Sequence, residues 1–416
     1  MIPQFLWQNS ASHLSIPSTL SAVMLRKLNS GKILLIASMI SWIIISVATY
    51  YGHASPFYTR FDAFADFVKI VLQFPGGHIV HDALGFDFLV KRYQGVVAGW
   101  STRGSPYELG HTFLLPMTTL ISILCRGMLG WIGPVTLGVA LAAICVTSLF
   151  IAVNEHSSDK FLPWFIVLSY PVFFGLDRGN LFALFAGTLT VIALLRRKQY
   201  LLTTILLAIA INIRPNLAFF LPALFTWRGG MWCAILAILM FGVSLAISHA
   251  LLPSYTLSEL HLGLDAYARQ YAARGQGVAF GSSLYGALWL VRWTPPMFVF
   301  PALALAIAGI AWVAFQRDRL SYGCFCFICA SCMFIATPIL NDYHLLIFAV
   351  PLIVGASPYA FFASVLMMLP KGYGHAGEST YQVIANPVIM LAALAPILLR
   401  AFTSNDVART SDLRLN

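Results

Sequence analysis

The sequence predicts an all-α, polytopic membrane protein of about 10–13 transmembrane helices. Of its 416 residues, 59% are hydrophobic and 10% are charged, and the mean hydropathy is +0.81. Soluble domains of this length are much less apolar. The apolar residues fall into separate runs, and each run must be helical because a bilayer offers the backbone no hydrogen-bond partners.

The N-terminal segment, residues 1–32, is predicted to be cytoplasmic. Arg26, Lys27 and Lys32 precede the first apolar run, residues 33–50, and basic flanks of a first span stay on the cytoplasmic side. The polar lead is long and no small-residue cleavage site follows the run cleanly, which argues against a cleavable signal peptide. We therefore expect a signal anchor.

The first loop, residues 51–111, is too polar to cross a bilayer and too long for a simple turn. It contains five of the fifteen acidic residues. Two of these, Asp62 and Asp66, lie one helical turn apart, so both carboxylates share one face of a short interfacial helix. The pattern fits a solvated helix on the membrane surface, and it also fits a carboxylate that acts as a base on a membrane-delivered substrate.

Twelve further apolar runs follow this loop, and several are shorter than the about 17 residues that a full span needs. These short runs predict half-spans or hairpins. A second polar stretch, residues 253–283, is predicted to be an outer loop, and residues 402–416 form a polar tail. The transmembrane domain is thus predicted at 33–401. The runs are 112–129, 131–153, 161–176, 181–195, 201–213, 217–227, 232–252, 296–315, 324–335, 343–355, 358–369 and 383–401.

The charges flanking the run 181–195 predict its orientation. The sequence Arg196-Arg197-Lys198 should be cytoplasmic, because adjacent cations are costly to translocate. The preceding turn, residues 177–180, is then on the outer face with the first loop. Counting every run as a full span gives the opposite side, so one run is expected not to cross completely.

Polar residues collect at the edges of the apolar runs, where ionisable groups are functional candidates. A carboxylate can deprotonate a hydroxyl, and Arg or His can hold a phosphate. A single Arg can also be a snorkelling anchor. The combination suits a lipid-phosphate substrate, whereas the scattered basic residues do not indicate nucleic-acid binding. The candidate cations and histidine are Arg60, Lys69, Arg178, Arg214, Arg274 and His344.

Two groups of potential metal ligands are predicted not to bind metal. Cys324, Cys326, Cys329 and Cys332 lie in one apolar run without polar neighbours, which is typical of packed structural thiols. The segment 78–82, HIVHD, has no fixed fourth ligand, which is typical of solvated loop side chains.

Four short motifs occur in a defined order. The first is Asp66-Phe67, followed by SPY at 105–107 and LP at 115–116. The second is GLDRGNLFALF, in which Gly179-Asn180 is followed by NIRPNLAFFLP with Arg214-Pro215. The third is GSSLYGALWLVR, with Ser283-Leu284, and the fourth is TPILNDYHLL, with Pro338, Ile339 and His344.

These motifs, over residues 35–370, resemble the GT-C glycosyltransferases and, within them, glycosyltransferase family 87, the polyprenyl-phosphate-mannose-dependent α-mannosyltransferase type. The chain departs from the family pattern at three places. Tyr343 replaces the first histidine of a pair, Met117 replaces the second proline of Y-P-P, and the Gln of G-Q-x-N is missing.

The resemblance implies the GT-C architecture and a transfer of a hexose, mannose by analogy, from a polyprenyl-phosphate donor to a glycolipid or glycan hydroxyl. It implies Asp66 as the general base, with Asp62 as the alternative, and an inverting single displacement. No cofactor or essential metal is expected, and the partners are the lipid-linked donor, the acceptor and membrane lipid. The implied donor-binding residues are Arg60, Lys69, Tyr107, Asp177, Arg178, Asn180, Arg214, Ser283, Asp342, Tyr343 and His344.

The sequence leaves two other functional classes open. A lipid or sugar transporter, or a flippase, would have repeated halves and polar residues in the middle of its spans. We see no repeat, and the polar residues lie at span ends, which favours an enzyme. A glycan ligase or polymerase is the nearer alternative. The expected location is the inner cell membrane, with the active site on the extracytoplasmic side.

Overall fold

We analysed a computed structural model of the chain. The structure describes residues 31–50, 115–132, 134–178, 180–225, 229–251, 256–258, 260–261, 281–293, 295–370, 375–376 and 379–403. Asp62, Asp66 and the rest of the first loop lie outside these ranges, as do residues 1–30 of the N-terminal segment and most of the second loop and the tail.

The described chain is a helical bundle, which confirms the predicted all-α polytopic membrane protein. Two 3-10 helices, Pro215–Phe220 and Asp342–Phe348, interrupt the α-helices. The strands are β1 (His375–Ala376) and β2 (Ser379–Thr380). The α-helices are α1 Gly31–Tyr50, α2 Pro116–Ile132, α3 Pro134–His156, α4 Leu162–Val167, α5 Tyr170–Arg178, α6 Leu181–Leu195, α7 Tyr200–Ile213, α8 Leu221–Phe225, α9 Gly229–Leu251, α10 Leu284–Leu290, α11 Val299–Gln316, α12 Tyr322–Ala336, α13 Ala349–Val354, α14 Pro358–Met368 and α15 Tyr381–Thr403.

One predicted run, residues 161–176, is broken into two helices, α4 and α5. The chain leaves the helix at Leu168, and the Ser169 hydroxyl donates to the carbonyl of Ile166 at 2.6 Å. Pro171 follows in the first turn of α5, where its missing N–H costs little because that turn has no intrahelical acceptor for it. The break places the Tyr170 side chain inside the bundle.

Four described helices are long and apolar enough to cross a membrane, and they present much of their surface to the surroundings. Only 22% of the best window in Gly230–Leu251 is buried, and 28% in Val299–Gln316. Ile238, Leu239 and Leu305 are among the exposed apolar side chains. Such surfaces suit contact with lipid tails. The other two long helices are Thr136–His156 and Val383–Thr403.

The centre of the bundle is built from shorter helices. All fifteen residues of α12 are buried, and so are thirteen of the fifteen in α6. The rings of Phe315 and Phe325 stack at 4.8 Å where α11 meets α12. A helix of 15 residues is about 22 Å long, whereas the hydrocarbon core of a bilayer is about 30 Å thick. The central helices are therefore shorter than the membrane they sit in.

One end of these helices is rich in cations, and we call it the basic end. Gly31 N–H donates to Asp159, Arg196 pairs with Glu155, and the Arg197 guanidinium lies 3.9 Å from the Tyr322 ring centroid. Arg319 also donates to the carbonyl of Ala401 at 3.4 Å. These contacts bring together the start of α1 and the turns after α3, α6 and α11. The basic residues here are Lys32, Lys160, Arg196, Arg197, Lys198, Arg317, Arg319 and Arg400.

Among the described residues, the opposite end of the central helices carries mostly uncharged polar groups. Helix α6 begins after Asn180 and ends before Arg196, while α7 returns from Gln199 to Arg214. Asn180 and Arg214 therefore lie at the same end. Helix α6 has 15 residues and α7 has 14. This end therefore lies about 21–22 Å from the basic end.

Candidate functional site

The site is organised around the 3-10 helix Asp342–Phe348, which is entirely buried. A 3-10 helix has about three residues per turn, so three successive side chains point in three directions. Asp342, Tyr343 and His344 accordingly contact different parts of the bundle. We call the polar side chains of this 3-10 helix and the polar residues around them the polar cluster. Its members are Tyr170, Asn180, Arg214, Ser282, Asn341, Asp342, Tyr343, His344 and Asn386.

Tyr343 connects the 3-10 helix to α6 and α7. Its hydroxyl oxygen accepts hydrogen bonds from Asn180 Nδ2 and Asn341 Nδ2, each at 3.0 Å. Arg214 Nη2 donates to Asn180 Oδ1 at 3.0 Å. Asn180 is thus held on both sides, and it orients the guanidinium of Arg214.

Local sequence explains the positions of Asn180 and Arg214. Asn180 caps α6, and its side chain accepts from the N–H of Ala183, as asparagine commonly does at a helix N-terminus. Arg214 has extended backbone angles (φ −140°, ψ 95°) and precedes Pro215. A residue before proline avoids the helical region, so α7 ends here and the Arg214 side chain lies at its terminus.

His344 is 4% exposed and lies within electrostatic range of Arg214. Its Nδ1 is 3.1 Å from the carbonyl oxygen of Asn341. That contact favours a hydrogen on Nδ1, because a carbonyl can only accept. Nε2 has no hydrogen-bond partner in the described part of the chain.

Asp342, which is 1% exposed, connects the 3-10 helix to α5 and α15. Its Oδ2 accepts from the Tyr170 hydroxyl at 3.0 Å, and its Oδ1 accepts from the hydroxyl of Ser282. Ser282 in turn accepts from Asn386 Nδ2 at 2.6 Å. A buried carboxylate is costly unless it is hydrogen-bonded, and these hydroxyl groups supply such bonds.

The end of the predicted second loop is bonded to the strand-like segment before the 3-10 helix. Gly281 pairs with Asn341, and Ser282 N–H donates to the carbonyl of Leu340 at 2.9 Å. Ser283 donates to the carbonyl of Pro338 at 2.5 Å and caps α10. Ser282 and Ser283 are buried, so these last loop residues belong to the interior of the bundle.

Four buried polar atoms in the cluster have no hydrogen-bond partner among the described residues. They are Arg214 Nε, His344 Nε2, Asn341 Oδ1 and Asn386 Oδ1. Buried polar groups normally have a partner, so each unpaired group needs an explanation. A nitrogen pair and two amide oxygens could together bind a ligand that has both an anionic group and hydroxyl groups.

The structure brings together part of the predicted site. Asn180, Arg214, Tyr343 and His344 form a continuous group, and Asp342 adjoins it through the 3-10 helix. Ser283 lies next to the cluster, but its hydroxyl is engaged in the α10 cap. Asp177 and Arg178 end helix α5, but their side chains are not described. Arg60, Asp62, Asp66, Lys69, Tyr107 and Arg274 lie outside the described residues.

Four members of the cluster are absent from the predicted site residues: Tyr170, Ser282, Asn341 and Asn386. Asn386 precedes Pro387 inside an apolar run, and an amide in a membrane helix is a signal that could have identified it. Tyr170 also precedes a proline, Pro171, and this position was its available sequence signal. Ser282 had no such signal, because it adjoins a glycine-rich stretch that is typical of a surface turn.

Comparison with known proteins adds no assignment to this geometry. No protein-family model matches the chain, and neither a curated protein nor a solved structure shows significant similarity to it.

Proposed function

We propose that this chain is a membrane-embedded glycosyltransferase that moves a hexose, mannose by analogy, from a polyprenyl-phosphate donor to a glycolipid or glycan hydroxyl. The observation that carries the proposal is a pair of nitrogens, Arg214 Nε and His344 Nε2, that are buried at the ends of short central helices and have no hydrogen-bond partner among the described residues. A phosphate that arrives on a lipid anchor would meet these nitrogens within the thickness of the bilayer. The resemblance to the GT-C family 87 pattern agrees with this assignment.

The Arg214 guanidinium has the chemistry that a phosphodiester requires. Arg presents a planar set of N–H donors that match phosphate oxygens, and such charge-assisted bonds are strong. Asn180 holds one Arg214 nitrogen at 3.0 Å, so the guanidinium is oriented before the ligand binds. Nε2 of His344 donates to a phosphate oxygen only as the imidazolium, because the neutral ring carries its hydrogen on Nδ1; in the neutral ring Nε2 accepts, for example from a hydroxyl group.

The distribution of charge supports an orientation in the membrane. Cytoplasmic ends of membrane proteins are enriched in Lys and Arg, which assigns the basic end to the cytoplasm. The polar cluster then faces the extracytoplasmic side, and α1 leads to that side at Tyr50. The first loop, which contains Asp62 and Asp66, would start there.

The general base is proposed to be Asp66, with Asp62 as the alternative. A base next to the acceptor hydroxyl would remove its proton as the hydroxyl oxygen attacks the anomeric carbon. The bond from that carbon to the phosphate oxygen breaks, and polyprenyl phosphate leaves. One displacement without a covalent sugar intermediate inverts the anomeric centre.

A transporter for the same lipid is the second candidate, because the cluster lies inside the membrane as a transport site would. The two candidates differ in their product. A transferase releases polyprenyl phosphate, whereas a transporter moves the donor across the bilayer intact. The position of the polar residues at helix ends favours the transferase.

Release of polyprenyl phosphate by the purified protein tests the proposal. Incubated with polyprenyl-phosphate mannose and a set of glycolipid acceptors, the wild type should release polyprenyl phosphate. General-base help is worth about 10²–10⁴-fold, so Asp66→Asn should lose that much rate, while Asp62→Asn is the matched control. Transbilayer movement of intact donor in proteoliposomes, without release, would replace the transferase by the transporter.

A further inference from the structure

We infer that Asn386, which donates to Ser282 of the Ser282–Asp342 pair, binds a hydroxyl group of the donor's sugar through its amide oxygen. This inference rests on the proposed function and extends it from the phosphate to the hexose. It makes Asn386 a residue that determines which sugar is accepted.

The orientation of the Asn386 amide follows from its neighbours. Ser282 gives its hydroxyl hydrogen to Asp342, which as a carboxylate only accepts. The group that faces the Ser282 oxygen at 2.6 Å must therefore be the NH₂ of Asn386. The amide oxygen, Oδ1, points elsewhere, and it is buried without a partner in the described part of the chain.

The location of this unpaired oxygen suggests a ligand. Asn386 is 0% exposed and lies in a helix that is otherwise largely apolar. Holding Ser282 requires only the NH₂ half of the amide, so that contact alone does not account for the buried carbonyl oxygen. An asparagine supplies an acceptor as well as a donor, and a buried acceptor normally has a donor against it.

A sugar hydroxyl has the complementary chemistry. The Arg214 and His344 side of the 3-10 helix offers the N–H of Arg214 Nε for an anion, while the Asn386 side offers an oxygen. Asn341, whose Oδ1 is also unpaired, immediately precedes Asp342 on the same segment. A hexose phosphate carries an anionic group and hydroxyl donors on adjacent parts of one molecule. A water molecule is the competing occupant of the Asn386 side.

Deoxy analogues test the inference on the wild-type protein. The affinity for short-chain polyprenyl-phosphate mannose is compared with the affinities for its monodeoxy analogues and for polyprenyl phosphate without sugar. Removal of the hydroxyl that donates to Asn386 should weaken binding about 10- to 100-fold, because the buried oxygen then stays unpaired. The other deoxy positions should change binding far less. A scan in which every analogue binds like the parent overturns the inference and leaves water as the occupant.

A variant assigns the effect to Asn386. In Asn386→Ala the sensitive deoxy analogue and the parent should bind equally, while binding of sugar-free polyprenyl phosphate should match the wild type. Asn212→Ala is the matched control, because Asn212 is another buried asparagine, and its Nδ2 donates to the carbonyls of Ala208 and Ala237 at 2.9 Å. It should keep the wild-type deoxy profile. If Asn386→Ala cannot be purified, Asn386→Ser serves the same comparison.

The outcomes separate this inference from the proposed function. A wild type that binds neither the sugar-linked lipid nor polyprenyl phosphate contradicts the proposed function itself. If the wild type binds both ligands and Asn386→Ala shows the same deoxy preference as the wild type, only the inference is contradicted. Equal weakening of both ligands in Asn386→Ala also contradicts it, because the residue would then support the fold rather than the sugar.

Discussion

The two ends of the central helices hold polar groups in different ways. At the basic end, Arg196 and Glu155 form an ion pair whose side chains are 27% and 46% exposed. At the other end, Asp342 and His344 are 1% and 4% exposed, and the hydrogen-bond partners described for them are hydroxyl groups and a backbone carbonyl. Exposed charges anchor a helix end at a membrane surface at little cost. Buried ones are costly, so their presence indicates a function beyond anchoring.

Helix length connects the two ends. If the basic end lies at one membrane surface, central helices of about 22 Å stop about 8 Å short of the other side of a hydrocarbon core that is about 30 Å thick. The polar cluster is then recessed below the second surface, among central helices against which the longer helices pack. A lipid-linked ligand could reach such a position without its headgroup leaving the membrane.

The largest expected effect is on stability, and it concerns one glycine at each end. A Cβ on Gly323 would collide with the carbonyl of Gly355, and a Cβ on Gly281 would lie 2.9 Å from the carbonyl oxygen of Leu340. Gly323→Ala and Gly281→Ala should each lose about 1–3 kcal/mol or more, because backbone must move. The unfolding temperature in detergent measures this.

Gly309→Ala is the control for these two variants, because nothing lies within 4 Å of its added Cβ. It should be as stable as the wild type or slightly more stable, since alanine favours a helix. Gly281→Ala should also weaken donor binding below its unfolding temperature, whereas Gly323→Ala should not. Equal binding losses in both would mean that the two ends are not functionally distinct.

The next effect is on phosphate affinity. Arg214→Ala should weaken binding of polyprenyl phosphate about 10- to 100-fold, because hydrogen bonds to charged groups are among the stronger ones. Arg214→Lys should lie in between, since a point charge cannot replace the guanidinium fork. Equilibrium binding to the purified protein measures both. Arg197→Ala, at the basic end, should bind like the wild type, and a loss there as large as in Arg214→Ala would refute the assignment.

The smallest effect is expected for the ion pair at the basic end. Glu155→Gln removes the partner of Arg196, and exposed ion pairs contribute about 0–1 kcal/mol. The unfolding temperature should hardly change, and release of polyprenyl phosphate should stay at the wild-type rate. A strong loss of activity would mean that this end takes part in catalysis.

Most of the helices could be predicted from the sequence because hydropathy is a local property. The run 181–195 coincides with α6, and 201–213 differs from α7 by one residue. The break at Leu168–Ser169 was missed, because the apolar composition continues through it. Pro171 was the available sequence signal for this helix break.

The polar cluster was only partly predictable. Asn180, Arg214 and His344 could be identified because each is a polar residue at the edge of an apolar run. Asn386 was missed because one amide in the run 383–401 hardly changes its average hydropathy, although an amide inside a membrane helix was itself an available signal. Which residues pair, such as Tyr170 with Asp342, depends on how distant helices pack, and no local pattern encodes that.

Photolabelling distinguishes the two ends most directly. A polyprenyl phosphate analogue with a photoreactive group next to the phosphate is bound to the purified protein, crosslinked and mapped by mass spectrometry. The label should fall on residues near Asn180, Arg214 and His344, and excess polyprenyl phosphate should compete it away. Labelling confined to the turns around Arg196 and Arg317 would contradict the proposal that the polar cluster binds the phosphate.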